Sequence, residues 1–167
     1  MNSTIIVADA GPLIGFARLN ALPMLIQTLG SIVVPHSVVD ECLGDTSRAG
    51  ANVIQAAIAD KTLPVHPDPV GTHVDQLTST LGPGESAAII LALQLEAGLL
   101  IDDKCARSTA KRLNIKIIGS AGALLLAKKK GLIPAIMPTV RQLQHVGYYL
   151  SNDLIVEVAK LAGEDLF

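Results

Sequence analysis

The sequence predicts an α/β fold, a three-layer α/β/α sandwich around a mostly parallel central sheet, and three observations carry that prediction. Short apolar runs without alternation, such as Ile5 to Ala8 and Ala97 to Ile101, suit strands covered on both faces. Helix-length amphipathic segments separate them, and Gly or Pro marks the short joints, as in repeated strand–helix units. The 167 residues show no linker and no sign of a second domain, so one domain over residues 1–167 is expected.

The opening stretch Ile5-Ile6-Val7-Ala8-Asp9-Ala10-Gly11-Pro12 reads as a buried strand that stops at a carboxylate and a turn. Asp9 alone is equally suited to capping the helix that begins near Pro12. Pro12 to Arg18 and Ala21 to Leu29 read as short helices, with Gly30 closing the second. Ser31 to Pro35 is a β-branched strand ended by proline, and His36 to Leu43 continues as a helix with Ser37 and Glu41 one turn apart on one side. Asn52 to Asp60 is helical. Thr62 to His66 is a short strand that its prolines confine to a sheet edge, and His66 and His73 flank a proline-rich loop.

Gly82-Pro83-Gly84-Glu85 opens the next helix, with Glu85 in the first turn, where the helix dipole favours an ionised carboxylate. Its small residues Ala87, Ala88 and Ala92 suit close approach to the sheet. Ala97 to Ile101 then repeats the opening pattern, an apolar strand that ends on Asp102 and Asp103. Lys104 to Leu113 follows as a helix with basic residues outward. Lys116 to Gly119 is a further strand, and Ser120 is expected to cap the helix from Ala121 to Lys130. Pro138 to His145 and Asn152 to Ala162, the latter capped by Ser151, complete the chain.

Half the residues are apolar, yet the longest apolar runs fall short of the roughly 18 residues that a membrane span needs. With no basic residue ahead of the first apolar run and Asp9 interrupting it, a secretory signal is not expected and a cytoplasmic location is. Cys42 and Cys105 lack zinc or redox spacing and are expected to be ordinary buried thiols. The net charge of −2 hides an asymmetry: before residue 100 three basic residues meet nine acidic ones, and from there on ten meet six. One half could hold cations and the other could touch a polyanion. Aromatic residues are too few for a protein that stacks bases on aromatic platforms. The mean hydropathy of +0.47 favours self-association as a homodimer.

Asp9 and Asp102 end strands, and Glu41 and Glu85 sit in early turns of helices over the same sheet edge. Carboxylates that converge there repel one another unless cations neutralise them, and hard oxygen ligands select Mg²⁺ or Mn²⁺. Such ions support phosphodiester hydrolysis, which makes nucleic acid the expected substrate.

Four ordered motifs, Asp9-Ala10-Gly11-Pro12-Leu13-Ile14, Val34-Pro35-His36-Ser37-Val38-Val39-Asp40-Glu41, Gly84-Glu85-Ser86-Ala87-Ala88-Ile89 and Ile101-Asp102-Asp103-Lys104-Cys105-Ala106-Arg107, make the chain resemble the PIN-domain family. Gly119-Ser120 also resembles that family's small-residue turn. The resemblance implies a metal-dependent ribonuclease acting on RNA, often the toxin partnered by an antitoxin protein. It also implies Asp9, Glu41, Glu85 and Asp102 as metal-binding and catalytic acids, with Asp103 competing for the last place. Lys104, Arg107 and Ser120 are candidates for substrate contact. Many relatives carry Asp where Glu85 stands, which leaves a non-cutting RNA- or protein-binding module as the alternative.

Overall fold

The computed structural model describes residues 4–166. Among them the chain runs β1 (Ile5–Ala8), α1 (Ala10–Arg18), α2 (Leu22–Leu29), β2 (Ser31–Pro35), α3 (His36–Leu43), α4 (Ala51–Ala59), β3 (Val65–His66), α5 (Thr72–Thr78) and α6 (Pro83–Gln94). It continues β4 (Gly98–Leu100), α7 (Lys104–Arg112), β5 (Ile117–Ile118), α8 (Ser120–Lys129), α9 (Met137–His145) and α10 (Asn152–Ala162). The strands form one sheet in the order β3-β2-β1-β4-β5, and every neighbouring pair is parallel. The fold is therefore the expected α/β sandwich.

β1 is the central strand because its residues are apolar on both faces. Val7 pairs with Val33 on one side and Leu99 on the other, and all three are buried. Strand order reverses at β1, since β2 follows on one flank while β4 returns on the other. The crevice beyond the carboxyl ends at such a reversal is where open parallel sheets place ligands.

α6 shows the packing most clearly. It lies between the sheet, touching β1, β2 and β4, and the helices α3 and α5. Ala87, Ala88, Ile89, Ile90, Leu91 and Ala92 are all buried, the all-round apolar pattern of a helix covered over its middle turns, with Pro83, Leu93 and Gln94 exposed at its ends. Its small alanines let its N-terminal turn, with Glu85, come close to the ends of β1 and β4.

His66 in β3 and His73 in α5 flank the proline-rich loop as expected, and none of the residues of the short helix α5 is buried. Two sequence expectations are corrected. Ser120 does not cap α8: Gly119 takes the cap position, and Ser120 is the first helical residue, its hydroxyl turned elsewhere. Cys42 is buried, but Cys105 is exposed on α7. Ser37 and Glu41 lie one turn apart on α3 as expected, and the Ser37 N–H (2.8 Å) and hydroxyl both donate to the Asp68 carboxylate, which ties α3 to the proline-rich turn after β3. Ser151 does cap α10, accepting from the Leu154 N–H at 3.2 Å. No helix among the described residues is long and apolar enough to cross a membrane.

Candidate functional site

Asp9 stands one residue beyond β1, and its N–H donates to the Leu100 carbonyl at 2.9 Å, so the sheet ladder itself places this carboxylate beside the end of β4. Although Asp9 occupies the cap position of α1, its side chain makes no capping hydrogen bond. It is 6% exposed, and its Oδ1 is buried without a hydrogen-bond partner. The helix-cap reading of Asp9 therefore fails on geometry.

Asp9, Glu41, Glu85, Asp102 and Asp103 line one cleft of about 420 Å³, together with Arg48 and Tyr148. Glu41 reaches it from α3 and lies so close to α6 that a Cβ at Gly84 would stand 3.1 Å from its Oε2. Glu85 reaches it from the first turn of α6, where one of its oxygens also accepts from the Gly82 N–H at 3.3 Å. Asp103 is the N-cap of α7 and accepts from the Ala106 N–H at 2.8 Å.

Burial in this company shifts the acids. The Asp9 carboxyl is pushed from 3.8 up to about 7, chiefly by desolvation; the Ala10 backbone N–H pulls it down, while Glu85, Glu41 and Asp103 add to the rise. Glu85 is raised as well, first by burial and then by Asp103 and Glu41, against the Gly82 hydrogen bond. Under the cleft, burial and then the charges of Glu41 and Asp9 push the Cys42 thiol up to about 12, leaving it inert.

Asp102 has its own support. Its Oδ1 accepts from the Ser120 N–H at 2.8 Å, and its Oδ2 accepts from the Ser120 hydroxyl at 2.5 Å and from the Tyr148 hydroxyl. Tyr148 follows α9, and its ring lies over α1: a Cβ at Gly15 would come within 2.9 Å of the Tyr148 ring, so glycine is required there. Burial and the neighbouring Asp102 charge raise the phenol, which keeps it a donor.

The expected substrate residues separate. Lys104 is exposed at the start of α7 and does not line the cleft. Arg107 is half-buried and donates through Nη1 to the Ile101 carbonyl at 2.9 Å. Ser120 is buried beneath Asp102. Sequence reasoning missed Tyr148 and Arg48. Tyr148's one signal was its rarity in an aromatic-poor chain; Arg48 lies in an irregular stretch with no motif around it.

The donor set is all hard oxygen, and the orphaned Asp9 Oδ1 fits a divalent cation. Among the described residues, however, no three His, Cys, Asp or Glu side chains already form a metal cage.

A parallel α/β sandwich with carboxylates gathered where strand order reverses defines an α/β protein with an acidic cleft at its ligand-binding edge. The chain belongs to the PIN-domain family, whose model DUF3368 matches residues 5–164. PIN domains are generally nucleases that bind nucleic acid and typically use divalent metals. In structure the chain is similar to a PilT N-terminus domain protein from the hyperthermophilic archaeon Sulfolobus solfataricus P2. The TM-score is 0.51 at 20% identity, over 74% of this chain and 92% of that one, a likeness of fold. No curated protein matches the sequence.

Proposed function

We propose that this chain is a cytoplasmic metal-dependent endoribonuclease built as one PIN-like unit over residues 1–167. The observation that carries the reading is the convergence of five carboxylates on one cleft at the sheet's reversal point, with a buried, unpartnered oxygen of Asp9 inside it. Asp9, Glu41, Glu85 and Asp102 would hold Mg²⁺ or Mn²⁺, and Asp103, committed to capping α7, contributes charge. When bound, the ion supplies neutralising charge and activates a water for attack on phosphorus.

The chain's own residues do the rest. Ser120 and Tyr148 fix the orientation of Asp102. Arg48 is the basic side chain that lines the cleft, and its Nε pairs with the exposed Asp45 carboxylate at 3.6 Å. From that position its guanidinium would hold a phosphate of the RNA. The family reading adds an antitoxin protein as the partner that would control such an enzyme.

The test is incubation of the purified protein with structured and unstructured RNAs in Mn²⁺ or EDTA, beside Glu85→Gln. Cleavage that needs Mn²⁺ and falls in Glu85→Gln is expected. Undiminished cleavage in EDTA removes the metal. RNA binding without cleavage supports the second reading, a binding module, which the engagement of Glu85 with the Gly82 N–H favours.

A further inference from the structure

Asp102 lines two concavities. One is the acid cleft; the other is a groove of about 330 Å³ bounded by Arg107 of α7, Ile117 and Ile118 of β5, the turn at Gly119, Gly122 of α8 and Leu154 of α10. We propose that this groove is a nucleobase subsite, taking the base of the nucleotide next to the scissile phosphate; the inference rests on the nuclease reading above.

Ile117, Ile118 and Leu154 are only partly buried, so this edge of the sheet offers aliphatic surface. Facing them is the Arg107 guanidinium, tied down by its bond to the Ile101 carbonyl. A Cβ at Gly119 would stand 2.8 Å from Arg107 Nη1 and 2.8 Å from Asp102 Oδ1, so only glycine lets guanidinium and carboxylate sit side by side at the rim. Aliphatic walls with a restrained guanidinium suit a flat heteroaromatic ring that carries hydrogen-bond acceptors. Guanidinium planes stack on bases, and Arg donors pair with their edges.

Among the described residues the aromatic side chains leave this role open. Phe16 is fully buried, Tyr148 is committed to Asp102, and Tyr149 is exposed outside the cleft. A strand laid across Asp102 thus meets acids and Arg48 on one side and the groove on the other. The groove's volume is at the low end for a small-ligand site, room for one nucleobase and not for a docked helix.

The experiment uses the full chain in Mn²⁺ with single-stranded oligoribonucleotides that carry one abasic residue at successive positions about the cut. An abasic residue beside the cut is expected to raise KM about tenfold with kcat little changed, the scale of one lost base contact. Arg107→Ala should show the raised KM with intact RNA and no further loss with the abasic one. Because Arg107 also braces the end of β4, Leu154→Ala is read in parallel, and thermal melts report folding of both. A flat abasic scan in an actively cutting parent, or an abasic effect kept in full by both variants, overturns the subsite alone. A parent that neither cuts nor binds RNA overturns the nuclease reading and the subsite with it.

Discussion

Replacing Asp9 by Asn removes one charge from the most buried acid of the cleft while keeping the side chain's size. The unfolded carboxyl titrates near 3.8 and the folded one near 7, so between these values the folded protein holds more protons than the unfolded chain. Asp9's own contribution to stability is therefore most favourable below about pH 4, falls as pH rises to about 7, and levels off above. A move from 3.8 to about 7 corresponds to roughly 4 kcal/mol at about 1.4 kcal/mol per pH unit, a ceiling on what Asp9 withdraws at alkaline pH. Asp9→Asn should match the parent near pH 4 and become progressively more stable than it toward pH 8. Urea unfolding of both proteins in EDTA across that range reads the difference, which includes the relief of Glu41, Glu85 and Asp103 from the Asp9 charge. Mn²⁺ should then stabilise the parent, by about 2.7 kcal/mol when the ion is about a hundredfold above its dissociation constant, and Asp9→Asn far less. A stability difference that does not change with pH, or equal Mn²⁺-induced shifts in the two proteins, would refute the reasoning.

Tyr148→Phe removes the hydroxyl from Asp102 and keeps the ring over Gly15; a loss of about 1 kcal/mol in urea unfolding and a weaker Mn²⁺-induced shift are expected, whereas an unchanged Mn²⁺ response would make Tyr148 mere packing. Gly15→Ala drives a methyl into that ring and should destabilise by about 1–3 kcal/mol in the same assay. Glu164→Gln weakens a carboxylate that accepts from the Ile136 and Met137 N–H groups and pairs with Lys128 at 2.9 Å, and thermal melts should show α9 and α10 loosened by about 1–2 kcal/mol. Light scattering at micromolar concentration should report a dimer, in keeping with Val156 and Leu161 exposed on α10; a monomer throughout that range sinks self-association.

What could be read from the sequence was what is written locally. β1 and β4 announce themselves as apolar runs ending on acid, and Pro83 with Glu85 marks the start of α6 within one turn. α5 was invisible because none of its residues is buried, so no apolar periodicity marks it. Ser120 misled for the opposite reason. A serine after glycine reads as a helix cap, but its hydroxyl serves an acid 18 residues away. Tyr148 lies 46 residues from the carboxylate it holds, and only the folded sheet brings the two together. The acids' positions followed from strand ends and helix starts; the groups that orient them belong to tertiary structure.

The pairing of the central strand also sets how late in synthesis the cleft can assemble. Val7 waits for Leu99, some ninety residues later in the chain, and Asp102 waits for Tyr148. Synthesis runs from the N-terminus, and contacts so distant in sequence are slow to close. A nascent chain that has released Asp9, Glu41 and Glu85 still lacks the strand that aligns Asp9 and the tyrosine that steadies Asp102. On the ribosome the acids emerge early and stay scattered, and the finished cleft belongs to the chain only after nearly all of it has been translated.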